Sequence, residues 1–219
     1  MGSGHSRIMH DTGDQGGTVT FVRLWDQAIL AAPARILAVA AAHDDDELSD
    51  HAFMLRLTRD FGGRGHGVQA LYYADDLPVQ QAAGDVLVSH GNPEAVALES
   101  LCPPDDVNEV GLAALPHKFT VLNDAGGEDD GDAVPVACSA YDEWQGLLAR
   151  LGTLVVPEHR RQGLGLLATS IAAHEALASG LILQWRADVN NPSAHALATS
   201  LGFSVAGLQT TVSLNAPRK

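Results

Sequence analysis

Cysteine is scarce in this 219-residue chain, which has only 2, Cys102 and Cys138. So few thiols exclude the disulfide framework of a small secreted fold, and their spacing offers no metal site. Neither has a sequence-adjacent histidine or basic residue to favour the thiolate. Both are therefore expected to be reduced, dispensable for chemistry and housed in a cytoplasmic setting. Positive charge is scarce too: 13 Lys and Arg stand against 27 Asp and Glu, a formal net charge of −14. That balance excludes a phosphate-tracking nucleic-acid surface and favours cationic partners. No stretch approaches the roughly eighteen uninterrupted apolar residues of a membrane span, and no basic segment leads into an apolar signal core at the N-terminus. A soluble protein with no membrane partner is the expectation.

What is present is an apolar content of 46%, enough to bury the core of one substantial domain, or of one domain with an elaborated half. Residues 1–17, rich in Gly, Ser, His and Asp without an apolar period, read as a mobile tail or cloning remnant. "TVTFVRLW" (18–25) reads as a strand, and the Ala-rich stretch from Asp26 to His43 as helical. The acids of "HDDDELSD" fit a helix N-terminus, which favours negative charge, better than a metal cluster. "FGGRGHG" (61–67) fits no phosphate-binding pattern and reads as a flexible connector bordering a cleft, leading into strand-like "VQALYYA". From Asn92 to Leu115, two helical segments are broken by "CPPDD". Strand-like "KFTVLND" and "VPVACSAYDEW" then make a hairpin around the acidic tip "AGGEDDGD". No repeat of fixed period appears.

The last third carries the signal. "LLARLGTLVVP" is a further strand, ended by Pro157, which cannot continue a hydrogen-bonded ladder. Leu164, Leu167, Ala168 and Ile171 then recur at helical spacing, and Gly180 stands where a C-terminal cap wants positive φ. "LILQWRAD" is a strand. "NPSAHALATS" is a short helix with Asn191 near its cap and Pro192 in its first turn, followed by "LGFSVAG" and "QTTVSL" as closing strands.

Between the strand and the first of these helices lies "PEHRRQGLG", where His159, Arg160 and Arg161 form the densest positive group of an acidic chain. Backbone N–H groups from Arg161 to Gly165 at a helix start converge on one spot, the helix dipole adds positive potential, and glycine admits a ligand to the backbone. Such a loop suits a pyrophosphate. A P-loop would need Lys and Ser or Thr after the second glycine, where Leu166 and Leu167 stand. Gly163, Gly165, Ala168 and Asp188 satisfy a dinucleotide fingerprint, yet Pro157 to Gln162 intervene after the strand and too little chain follows for the remaining βα units.

"VVPEHRRQGLG" resembles the acyl-CoA loop of the GNAT superfamily of N-acetyltransferases, with Arg160, Gly163 and Gly165 on the family's pattern. The resemblance continues through "GLILQWRADVNNPSAHALATSLGF", similar to the family's strand, Asn-headed helix and Gly-Phe ending. It implies an α/β (α+β) fold: a GNAT-like mixed, mostly antiparallel sheet flanked by helices. An acyl-CoA-binding core would occupy 118–215, and residues 18–117 would be the N-terminal, substrate-side half. Strands at 147–156 and 181–188 would splay to admit the pantetheine arm of acetyl-CoA, the co-substrate, with no metal. The implied contacts are Leu154, Val155 and Val156 along the strand, with the backbone of Leu154 and Val156 on the pantetheine and thioester carbonyl. Arg160, Arg161, Gln162, Gly163, Leu164 and Gly165 would lie at the pyrophosphate, and Asn191 on the arm unless it is a plain helix cap.

The implied activity is direct transfer of acetyl to an amine, a small cationic molecule suiting the acidic body; a homodimer is compatible with the family. The sequence departs from the family at the catalytic acid and base. Seven residues after Asn191, where many members carry a tyrosine, stands Ala198, and "LLARLGTLVV" holds no carboxylate. His195, on the same helical face as Ala198, is the candidate acid in its place, with Asp142 and Glu143 as nearby carboxylates and water as the alternative relay. The absent pair leaves a second reading open, a non-catalytic acyl-CoA-binding or regulatory module. Trp185 and Phe203 are expected in the core, and Gln184 and Arg186 toward the substrate side or solvent.

Overall fold

The computed structural model describes residues 7–13, 17–78, 86–123 and 133–215. The acidic tip "AGGEDDGD" lies outside them. The strands are β1 (Ile8–Asp11), β2 (Thr18–Leu24), β3 (Gln27–Ala32), β4 (Arg64–Ala74), β5 (Leu87–Ser89), β6 (His117–Asn123), β7 (Val134–Trp144), β8 (Leu148–Val155), β9 (Ile182–Asp188) and β10 (Ser204–Ser213). The helices are α1 (Ala34–Ala40), α2 (Asp45–Ser49), α3 (His51–Leu57), α4 (Asn92–Ser100), α5 (Pro104–Val110), α6 (Leu164–Ala178) and α7 (Pro192–Leu201). The chain divides into two compact units, one of Met1–Tyr72, Arg186–Ala194 and Val205–Lys219, the other of Tyr73–Trp185 and His195–Ser204.

In the first unit the strand order is β1-β3-β2-β10-β4. β2 and β3 form a hairpin in which Leu24 faces Gln27, so Trp25 and Asp26 alone make the turn. Trp25 adopts φ 50 there, the sign a two-residue hairpin loop demands. This overturns the expected helix from Asp26: in Gln27–Ala32, Ala28, Leu30 and Ala32 are buried on alternate positions, a period of two that the alanine content masked. The helix begins only after Pro33, as α1.

The expected tail is likewise corrected in part. Ile8–Asp11 pair in parallel with β3, and Arg7 anchors them by donating to Asp45, the Ala40 carbonyl and the His43 carbonyl. The acids of "HDDDELSD" do cap helices. Asp44 and Glu47 form a reciprocal capping box on α2, and Asp50 accepts from the Phe53 amide at the head of α3. Two further boundaries move. β4 begins at Arg64, inside the expected connector, and the two closing strands are one, β10. Gly207 does not break that strand; it admits the neighbouring backbone, since a Cβ there would stand 1.8 Å from the Arg23 carbonyl oxygen. The core of this unit holds Val19, Phe21, Leu30, Ile36, Leu48, Met54 and Val212.

In the second unit the order is β9-β8-β7-β6-β5. β5 to β8 pair antiparallel, and β8 pairs β9 in parallel from Leu148↔Ile182 to Leu151↔Trp185. Residues of α4 (Ala95, Leu98) cover one face, packing on Cys138, Ala140, Leu154 and Val156. α6 covers the other through Leu164, Leu167, Ala168 and Ile171 against Val136 and Ala137. Burial on both faces explains why β7 reads as a continuous apolar run instead of alternating. The sheet is mixed and mostly antiparallel, flanked by helices, as the fold class required. Among the described residues no helix is long and apolar enough to cross a membrane.

Candidate functional site

The phase of β8 decides which backbone groups face the end of its parallel ladder. The Val156 N–H donates to the Val136 carbonyl at 3.0 Å, and in the β7–β8 register Val155 faces Ala137 and Leu154 faces Cys138. In an antiparallel pair hydrogen-bonded and non-bonded positions alternate, so the backbone groups of Leu154 and the Val156 N–H are spent on β7, while the Val156 carbonyl accepts from the His159 amide at 2.9 Å. The backbone groups of Thr153 and Val155 point the other way, to the β9 edge, and the parallel register with β9 ends at Leu151↔Trp185. The backbone N–H groups of Leu154 and Val156, expected on the open side, thus face β7, and the groups on the open side are those one residue away. Period-two alternation was legible in sequence; its phase depended on the hairpin partner.

After Val156 a short 3-10 turn, Pro157–His159, carries the chain to Arg160. Arg161 is left-handed at φ 63 and Gly163 at φ 83, and α6 starts directly after. The amides of a first helical turn have no intrahelical partner, and Gly163 offers no capping side chain. Such amides, with positive dipole potential behind them, are suited to accept anionic oxygens. The need for glycine at 163 is conformational: a Cβ there would meet nothing within 4 Å, but φ 83 strains any other residue. Gly165 serves closeness instead, as its Cβ would stand 3.2 Å from Val155 Cγ2.

The loop side chains have separate duties. Arg160 donates from Nη2 to Asp106 at 2.7 Å and from Nε to the Val155 carbonyl at 3.1 Å, so it fastens the loop to the strand edge and to α5. Gln162 donates to the Glu158 carbonyl. Arg161 is exposed. A hydroxyl chain invisible to motif reading ties the start of α6 to the sheet. Thr169 Oγ1 donates to the Gly165 carbonyl at 2.7 Å and meets Thr153 Oγ1 at 2.7 Å, which meets Ser139 Oγ at 2.9 Å. Ser139 in turn donates to the Gly152 carbonyl at 3.2 Å. The sequence signal was only polar residues at buried positions of apolar runs.

The expected catalytic groups are placed as follows. Asn191 Oδ1 accepts from the Ala194 amide at 3.1 Å, the helix-cap role. His195 is half-buried on α7, and Ala198 on the same helix is fully buried. Asp142 is clasped by Arg150, and Glu143 lies 3.4 Å from His117, so both carboxylates are cross-strand partners on β7. Phe203 and Trp185 are core residues, 6% and 5% exposed. Trp185 Nε1 is buried without an acceptor among the described residues, at the rung where the β8–β9 ladder ends. Gln184 is buried and donates to the Tyr73 hydroxyl at 2.7 Å, whereas Arg186 is exposed. Burial pushes the thiols of Cys102 and Cys138 above their ordinary range.

A mixed sheet with an uncapped helix start behind an open-edged strand defines a class of α/β domain suited to a phosphorylated ligand. Residues 99–203, just under half of the chain, match the family model of the acetyltransferase (GNAT) family. Solved structures agree in fold. A GNAT-family protein from Novosphingobium aromaticivorans is 19% identical, with 70% of this chain and 68% of that one covered at a TM-score of 0.50. A GCN5-related N-acetyltransferase from Kribbella flavida is 20% identical, with 76% and 64% covered at 0.51, so this chain spans just under two thirds of its length. A GCN5-related N-acetyltransferase-like protein from Streptococcus suis is 11% identical, with 91% and 84% covered at 0.50. No curated protein matches. At these identities the likeness is one of fold.

Proposed function

We propose that the chain is an acetyl-CoA-dependent N-acetyltransferase that moves the acetyl group directly to a small amine. The observation that carries this reading is the uncapped start of α6, with left-handed Arg161 and Gly163, following a strand whose edge groups at Thr153 and Val155 lie beyond its last parallel rung. The donor set fits the co-substrate. The amides of Gly163 to Gly165, with Arg161, would hold the pyrophosphate, and the Val155 N–H would polarise the thioester carbonyl. The buried Trp185 Nε1 would find its acceptor in an amide carbonyl of the pantetheine arm.

Bound acetyl-CoA supplies an activated acyl thioester: the amine nitrogen bonds its carbonyl carbon, the carbon–sulfur bond breaks, nitrogen loses one proton and the departing thiolate gains one. Positioning and carbonyl polarisation carry the rate, and water relays the protons, because Ala198 supplies no acid and Asp142 is held by Arg150. The net charge of −14 favours an acceptor with a cationic nitrogen. We assign acyl-CoA binding to 118–215, the acceptor side to 18–117, and the protein to the cytoplasm.

A broad amine screen with acetyl-CoA and thiol detection tests this, with calorimetry of CoA binding beside it. Thiol release that depends on an amine supports transfer. The same lack of acid and base favours the rival, an acyl-CoA-binding or regulatory module, which tight CoA binding without turnover on any amine would establish.

A further inference from the structure

Within the first unit, strands β4, β9 and β10 border a half-open cavity of about 240 Å³ lined by His66, Gly67, Gln69, Arg186, Gln209 and Thr211. Every lining side chain is polar or absent, which is unusual for a pocket built on a sheet. Gln209 and Thr211 alternate with buried Thr210 and Val212, so they stand on the face of β10 opposite the core, joined by a 2.9 Å hydrogen bond. Gly67 adopts φ 79, and a Cβ there would come within 3.0 Å of Asp188 Oδ2. Glycine thus leaves one carboxylate oxygen of Asp188 against the lining, while Oδ1 accepts from the Asn190 amide at 2.8 Å.

Arg186 and Asp188 are two residues apart on β9, hence on one face of the strand with Cα atoms about 7 Å apart. Opposite charges carried side by side on one strand, next to carboxamides and a hydroxyl, complement a molecule that carries both signs. A plain polyamine would meet Arg186 as a like charge. Arg186 has other interactions too, and its five donors serve more than one acceptor.

We infer that this cavity binds a zwitterionic, amino-acid-like compound, with its carboxylate on Arg186 and its ammonium toward Asp188. Gln69, Gln209 and Thr211 take the remaining polar groups. The inference rests on the transferase reading in so far as this compound is the acetyl acceptor, and it narrows that acceptor from a cationic amine to one bearing a carboxylate.

The test uses matched pairs that differ only by the carboxylate: lysine and cadaverine, ornithine and putrescine, histidine and histamine, tyrosine and tyramine. Binding is read by saturation-transfer NMR and acetylation by kcat/KM. In at least one pair the amino acid is expected to exceed its amine by about ten-fold or more in either readout, the size of a lost charge-assisted hydrogen bond. Arg186→Gln is expected to erase that preference, Arg186→Lys to retain part of it, and both to keep CoA affinity and the thermal midpoint. Equal or better use of the amine, or no binding of any amino acid, overturns the inference even if acetylation proceeds. A preference seen in binding and lost in Arg186→Gln upholds it even if nothing is acetylated, in which case the transferase reading alone falls.

Discussion

Asp142 and Arg150 face each other across β7 and β8, and the guanidinium Nε donates to Asp142 Oδ1 at 3.0 Å while Nη2 donates to Oδ2. A carboxylate clasped on both oxygens by a guanidinium is committed to a cross-strand pair and is not aimed at a substrate nitrogen. Asp142→Asn is therefore expected to leave kcat within a few-fold of the parent. Its side chain is 27% exposed, so the stability lost should be about 1 kcal/mol or less, read by chemical denaturation. A drop in kcat of about 10²-fold with CoA affinity unchanged would make Asp142 the base.

Gly163 tests the anion cradle. Because its φ is 83 and its surroundings are open, Gly163→Asn should be strained less than Gly163→Val, which should cost roughly 1–2 kcal/mol. Calorimetry should show CoA binding weakened in the Val variant by a larger factor than in the Asn variant. Parental affinity in a folded Gly163→Val protein would remove the pyrophosphate from this loop.

The hydroxyl chain predicts a coupling. Thr169→Val removes the donor to the Gly165 carbonyl and leaves Thr153 short of a partner, at a cost of about 1–2 kcal/mol by denaturation. Thr153→Val should cost less after Thr169→Val than alone, and a double-mutant cycle measures that difference. Additive losses would mean the hydroxyls act separately.

The thiols should stay inert. Burial raises both above their ordinary range, so each remains protonated at neutral pH and alkylates slowly in the native protein. Mass spectrometry after brief exposure to acetyl-CoA should find no acyl-cysteine. The linkage has a definite sign: the unfolded chain surrenders these protons first as pH climbs through the ordinary thiol range, so stability falls there. Cys138→Ala should flatten that alkaline decline.

His195→Ala should hold its rate within a few-fold if water relays the protons, whereas loss of a general acid removes about 10²-fold or more. Restoring a tyrosine at Ala198 is a poorer experiment than the sequence suggests. That position is 0% exposed, so Ala198→Tyr is expected to overpack the core by roughly 1–3 kcal/mol, seen as a lowered thermal midpoint.

What the sequence disclosed followed from how local each signal is. Pro157, Gly163 and Gly180 punctuate strand, loop and helix within a few residues, and the structure keeps those boundaries at β8 and α6. Asp44 and Glu47 likewise announce a cap in four residues of chain. The misreadings were places where a distant partner decided. Gln27–Ala32 is a strand because β2 pairs with it, Ile8–Asp11 because β3 does, and Gly207 is a close approach to Arg23 that imitates a turn. The one-residue error along Leu154 to Val156 is of the same kind, since only the hydrogen bond from Val156 to Val136 fixes the phase. Ser139, Thr153 and Thr169 were overlooked because hydroxyls in an apolar run carry no periodic mark.

The position of β10 governs how the gene can be cut. The family match stops at residue 203, and β10 starts at Ser204. Yet β10 is an interior plank of the first unit, seated between β2 and β4, with Val212 in the core and Thr210 tied to the Ser49 carbonyl. An expression boundary drawn at the end of the family match would therefore open a slot in the middle of that unit and bare two strand edges. The strand that closes this sheet comes from residues 204–213, far along the chain from β2 and β4, so the sheet can be completed only after those residues have been synthesised.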